Sequence, residues 1–160
     1  MSLDRLVAVV LDEEGLPPPS PEAAQERRVA IHDLLQDNLF ALPPRDGRPA
    51  SGPWRLRLGL RDRRLVFALA TESGEPAGEF HLSLGPFRQV VKDYDQICAS
   101  YAAAQASLAP AQVETVDMAR RGIHDEGARI LQERLDGKAV LDRDTARRLF
   151  TLICVLRVGG

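Results

Sequence analysis

The sequence predicts an α+β protein. An antiparallel sheet of about four strands, made of an N-terminal strand and a three-strand meander, packs on a C-terminal bundle of three helices. Three observations carry this. Between Trp54 and Leu84, apolar and polar residues alternate at period two across short polar connections, the pattern of half-buried antiparallel strands. From Phe87 onward the apolar residues recur at spacings of three and four, which builds one stripe on a helix. Pro86, Pro110 and Gly137 then stand where helices start and stop.

The elements follow in order. Residues 3–11 read as a strand that is β-branched and apolar on both faces, as expected for a central strand or one covered twice. Leu16-Pro17-Pro18-Pro19 is extended. Ser20 caps a helix with Pro21 at its first position and Glu22 at its positive end; Ala24, Ile31, Leu34, Leu35 and Leu39 give it a stripe through about Asn38. Residues 43–53 form a loop rich in Pro, Gly and Arg, predicted to be mobile. In the meander, Trp54, Leu56, Leu58 and Leu60 share a face, as do Leu65, Phe67 and Leu69, and then Phe80, Leu82 and Leu84. The opposite face carries Arg55, Arg57, Val66, Ala68, Ala70, His81 and Ser83, a mixture that suits partial exposure or a docked partner.

The second helix carries Phe87, Val90, Val91, Tyr94, Ile97, Cys98, Tyr101 and Leu108 on its stripe; the third, running to about Asp136, carries Val113, Val116, Ile123, Ile130, Leu131 and Leu135. Gly137 fits a left-handed cap. Asp142 or Asp144 caps a last helix that is apolar nearly all round, so it is either central to the core or part of an interface between copies.

A length of 160 residues predicts one domain, residues 1–160. A net charge of −2 argues against a dedicated nucleic-acid binder. Charge is uneven: residues 51–71 hold five Arg against one Asp, while the first fifty residues hold nine acids against five Arg. Such asymmetry can steer a charged partner. Cys98 and Cys154 lie outside any C-x-x-C pattern and read as reduced, buried thiols, although a disulfide between them stays open. The apolar run at residues 6–11 is too short to span a membrane and lacks a signal-peptide cleavage pattern. A cytoplasmic protein is expected.

The densest cluster of functional groups is residues 117–127. On a helix, Asp117 can reach Arg120 or Arg121, whereas His124 lies about 10 Å further along the axis, so Arg120 could bridge the two. With Tyr94 nearby, Asp117, Arg120, Arg121 and His124 form either a ligand site for a small anion or a structural ion-pair network. Gly122 and Gly127 add either close packing or a kink that opens a pocket. His32-Asp33 and His124-Asp125 repeat a dipeptide used by metal phosphohydrolases, yet no histidine pair has ligand spacing and His81 sits on a strand, so neither metal nor cofactor is predicted. His124 and Glu126, two apart, face different directions. No Gly-x-Ser-x-Gly, P-loop or Gly-x-Gly-x-x-Gly occurs, and no catalytic residue is assigned. The hairpin arginines Arg55, Arg57, Arg61, Arg63 and Arg64 could track phosphates, but Trp54, the stacking group beside them, falls on the apolar face. Arg143, Arg147 and Arg148 form a second basic group, of which Arg147 and Arg148 suit ion pairs with Glu133, Asp136, Asp142 or Asp144.

The runs Pro86-Phe87-Arg88-Gln89-Val90-Val91-Lys92-Asp93-Tyr94, Asp117 to Gly127, and Asp144-Thr145-Ala146-Arg147-Arg148-Leu149-Phe150-Thr151-Leu152-Ile153-Cys154 resemble segments of an uncharacterised bacterial protein family. The resemblance spans nearly the whole chain, including the Ser-Leu-Asp-Arg-Leu start. It implies a bacterial cytoplasmic protein and transfers no activity. With no catalytic motif, a mixed outer sheet face and a very apolar last helix, the expected function is a non-enzymatic regulatory or adaptor domain that binds another protein or a second copy. The competing expectation is an enzyme or small-anion binder centred on Arg120, Arg121 and His124.

Overall fold

The computed structural model describes residues 3–49, 51–107 and 109–156; Leu108 of the second helical stripe lies outside them. The chain is α+β. Strand β1 (Leu6–Leu11) leads through a 3-10 turn at Glu13–Gly15 into helix α1 (Pro21–Gln36) and strand β2 (Phe40–Ala41). Strands β3 (Trp54–Arg61), β4 (Arg64–Thr71) and β5 (Pro76–Ser83) follow, then helices α2 (Gly85–Ser107) and α3 (Pro110–Leu135), strand β6 (Val140–Leu141) and helix α4 (Arg143–Val155).

The four-stranded sheet has the order β1-β3-β4-β5. The meander is antiparallel as its alternation predicts, with Leu58 opposite Phe67 and Phe67 opposite Phe80. The N-terminal strand departs from the expected geometry: β1 runs parallel to β3, so the sheet is mixed, and it is an edge strand with Val10 exposed, neither central nor covered on both faces. The connection between them contains α1, long enough for the crossover a parallel pair requires. Strands β2 and β6 form a separate two-residue ladder, Phe40 with Leu141 and Ala41 with Val140, too short to leave a periodic signal.

The inner sheet face buries Leu56, Leu58, Leu65, Phe67, Phe80 and Leu82 in one cluster with Phe87 and Val91 of α2, Leu131 and Leu135 of α3, and Leu149, Phe150 and Ile153 of α4. Helix α4 is the central one, packed against α1, α3 and α2. Its apolar surface is thereby used within the chain. Its start is fixed by Asp142, whose side chain accepts from the Thr145 amide. Thr145, fully buried, accepts in turn from the Leu39 amide at 2.8 Å, and Arg148 donates to the Asp37 carbonyl. Those bonds tie the end of α1 to α4.

Helix α1 begins as predicted, with Ser20 accepting from the Ala23 amide. Its buried line is shifted from the expected one: Ala23, Arg27, Ala30 and Leu34 face inward, while Ile31 and Leu35 are half-buried. Arg27 sits in that line at 4% exposure, with a guanidinium that donates to the Pro17 carbonyl and pairs with Glu13. A long aliphatic stem can pack inward while its head reaches a rim, a behaviour residue polarity does not announce. In the loop that follows β2, Arg48 donates to the carbonyls of Ala77 and Pro43. No helix among the described residues is long and apolar enough to cross a membrane.

Candidate functional site

Three helices meet at Tyr94 of α2, His124 of α3 and Phe150 of α4. The Tyr94 and His124 rings lie 5.2 Å apart, and each is 5.7 Å from the Phe150 ring. Gly127 makes this approach possible: a Cβ there would fall 2.3 Å from Phe150 Cζ. Gly127 is therefore a packing glycine, whereas a Cβ on Gly122 would meet nothing within 4 Å, and α3 continues through it as helix.

His124 Nε2 lies 2.8 Å from Thr151 Oγ1, and the Thr151 hydroxyl donates to the Arg147 carbonyl. The single hydroxyl proton is thus committed, so Nε2 is the donor and the neutral ring carries its proton there. Burial pushes the His124 pKa below its usual value; the bonding to Arg147's backbone opposes this and the Arg147 charge adds to it. Burial likewise holds the Tyr94 phenol up at about 12, with the adjacent Cys98 thiol contributing. The Cys98 thiol is itself raised by burial, against the hydrogen bond from Tyr94. Raised thiol and phenol values disfavour nucleophilic chemistry at this junction.

Asp117 binds both predicted arginines, Arg120 at 2.5 Å and Arg121 at 3.2 Å. The Arg120 guanidinium also lies over the Tyr101 ring, 4.8 Å from its centroid. The bridge expected from Asp117 through Arg120 to His124 does not form: Arg120 turns to Asp117 and Tyr101, and His124 turns to Thr151. Tyr94 and His124 are brought together, and Arg120 is close enough to Tyr94 to act on its ionisation. Of the basic residues on α4, Arg147 pairs with Asp125 at 2.5 Å and with Asp144, so Asp144 alone of its four expected partners is used. A cleft of about 580 Å³ borders this network, edged by Arg121, Gly122, His124 and Arg147. Asp117 and Asp125 neutralise most of its positive charge.

On the other side of Tyr94 lies a larger groove, of about 640 Å³, between α1 and α2 over the outer side of α4. Helix α1 contributes Glu26, Val29, Ala30 and Asp33; α2 contributes Tyr94, Asp95, Cys98 and Ala99; α4 contributes Thr151, Cys154 and Val155. The floor is apolar, Val29 is 47% exposed, and the rim holds three carboxylates and no Lys or Arg. The two cysteines form no disulfide with each other, and both line it. Sequence inspection finds Tyr94, Cys98 and Cys154, and Asp33 only as half of a His-Asp dipeptide, but neither Val29 nor Asp95. An exposed valine on a polar helix face was the available signal.

The outer sheet face is partly exposed, with Val66 buried on it. Arg55 and Arg57 are exposed, Ala68 and Ala70 half-exposed, and Arg57 pairs with Asp12 at 3.7 Å. Trp54 is 1% exposed on the opposite face and offers no stacking surface to the hairpin arginines. Among the described residues no three His, Cys, Asp or Glu side chains come together as a metal-binding set.

Fold and site together define an α+β protein with a helix-lined, acid-rimmed groove and a neutralised Arg–Asp network. The chain belongs to the uncharacterised protein family UPF0262, whose match covers residues 3–159. It is 65% identical to the UPF0262 protein of Roseobacter denitrificans over 99% of this chain and 100% of that one. It is also 65% identical to the UPF0262 protein of Ruegeria pomeroyi over the full length of both, and 63% identical to that of Paracoccus denitrificans over 99% and 98%. No solved structure matches it.

Proposed function

We propose that this protein is a non-enzymatic binding module of the bacterial cytoplasm that docks another protein in the groove between α1 and α2. The groove itself carries this: it is open to solvent, with the exposed Val29 on its α1 wall and Val155 on its floor. The alternative, a small-anion or catalytic site at Arg120, Arg121 and His124, has the adjacent cleft in its favour. Against it stand Asp117, which already occupies both guanidinium groups, and the low acidity of Tyr94.

Position-resolved photo-crosslinking in bacterial cells tests the docking role. A benzophenone side chain at Val29 or Ala99 is expected to give one discrete protein adduct, and the same group at the exposed Val140 or Met118 none. Equal labelling from all four positions, or none from the groove, contradicts it. The anion alternative predicts instead that inorganic phosphate shifts the amide resonances of residues 117–125 and that Arg121→Gln abolishes the shift.

A further inference from the structure

The sheet face turned away from the helices holds a row of arginines, most of them unpaired. We propose that this face is a second docking surface, separate from the α1–α2 groove. Its occupant is an extended acidic segment of a partner protein, with one apolar side chain of that segment seated beside its carboxylates.

Charge comes first. In the helical cluster the arginines are neutralised: Arg120 and Arg121 share Asp117, and Arg147 lies between Asp125 and Asp144. On β3 and β4, Arg55, Arg61 and Arg64 are exposed and make no ion pair or side-chain hydrogen bond among the described residues. Arg57 alone in this row meets an acid, Asp12 at 3.7 Å. Register places the group on one surface, because cross-strand partners share a face. The ladders pair Arg55 with Ala70, Arg57 with Ala68 and Arg61 with Arg64, and set Val10 of β1 beside Arg57. Arg61 and Arg64 thus stand directly opposite each other, an arrangement of like charges that weakens a hairpin. The turn between them adds a second cost, since Asp62 and Arg63 hold φ of +52° and +61°. Carboxylates laid across this end of the sheet offset the repulsion and are selected by it.

Spacing and shape name the ligand. Alternate residues of a strand lie about 7 Å apart on one face, so Arg55 and Arg57 are separated by that distance and Arg61 stands about 13 Å beyond Arg57. An extended peptide running along β3 has the same repeat, so acidic residues at its alternate positions meet the arginines in register. At the Arg55 end lies a depression of about 300 Å³, lined in part by Val10, Arg55, Arg57, Ala68, Ala70 and Pro76. Val10 is 44% exposed there. Such a socket fits an aliphatic side chain, which a phosphate chain or a lipid headgroup does not offer. Stacking of bases is not available either, because Trp54, Phe67 and Phe80, the aromatic residues of these strands, are all buried.

The test uses three designed peptides of about ten residues. The first carries a leucine followed by glutamates at alternate positions with serines between. The second has lysines for the glutamates, and the third has serine for the leucine. Binding to the full chain is read by fluorescence anisotropy. The first peptide is expected to bind about tenfold or more tightly than the second, and to weaken as salt rises from about 50 to about 500 mM. Loss of the leucine should weaken it about fivefold. The variant R55Q/R61Q/R64Q should bind the first peptide about tenfold less tightly. R28Q/R134Q/R143Q, which removes as many exposed arginines elsewhere, should bind it normally. Unchanged circular dichroism and dispersed NMR spectra show that each variant is folded. The benzophenone adduct at Val29 should survive R55Q/R61Q/R64Q; its loss would merge the two surfaces and overturn the proposal. Equal binding of the glutamate and lysine peptides, no effect of the leucine, or equal loss in the two triple variants also overturns it. Tighter binding of a ten-nucleotide oligouridylate or of phosphatidylserine vesicles than of the first peptide does the same. Self-association abolished by R55Q/R61Q/R64Q identifies the occupant as a second copy of the chain, which likewise overturns it.

Discussion

At the scale of single residues, the two glycines of α3 separate cleanly. Gly127→Ala drives a Cβ into the Phe150 ring, and overpacking of this kind costs about 1–3 kcal/mol. Gly122→Ala meets open space and gains up to about 1 kcal/mol of helix propensity. Urea denaturation should move the two midpoints in opposite directions. His124 gives a second prediction. Its folded pKa lies below the usual value near 6.5, so between the two values the unfolded chain holds the extra proton. Stability is therefore complete above about pH 6.5 and falls as the pH drops toward the folded value, by at most about 1.4 kcal/mol per pH unit. His124→Phe keeps a ring against Tyr94 and Phe150 and should flatten that slope between pH 7.5 and pH 5.5; an unchanged slope assigns the acid loss to other groups. The residues of this cluster were legible as candidates from their helical spacing. Their partners were not: Thr151 is 27 positions from His124, and no local rule brings those two together.

At the scale of elements, period two located β3, β4 and β5, and three-and-four spacing located α2, α3 and α4. Capping chemistry placed the helix starts, because Ser20 and Asp142 are short acceptors preceding an apolar stripe. Strand direction was not legible for β1. A strand apolar on both faces pairs in either sense, and the choice is made by the crossover through α1. The inward placement of Arg27 was hidden for a related reason, since the groups its charged end meets, the Pro17 carbonyl and the Glu13 carboxylate, lie outside the helix. The β3–β4 hairpin carries its own prediction. Its two turn residues, Asp62 and Arg63, hold φ of +52° and +61°, the left-handed region that the preferred two-residue hairpin turn demands. The substitutions Asp62→Asn and Arg63→Gly supply the residues that favour it and should stabilise the protein by roughly 1 kcal/mol. A fall in melting temperature would mean that Arg63 makes a contact that outweighs its backbone cost.

At the scale of the whole molecule, α4 organises everything else. It joins the sheet core to α1, α2 and α3, and its outer edge at Thr151, Cys154 and Val155 is the groove floor. This explains why the groove escapes a linear reading. Its walls come from residues 25–33, 94–99 and 151–155, and only the packing of α1 and α2 around α4 assembles them. The aromatic junction of Tyr94, His124 and Phe150 lies just beneath and fixes the α2 wall relative to the floor. The most direct measurement is an amide NMR titration with the partner protein captured by crosslinking at Val29. Docking in the groove predicts a footprint confined to residues 25–33, 94–99 and 151–155. A footprint on the Arg55–Ala70 face of the sheet, or in the cleft at residues 118–125, would contradict it.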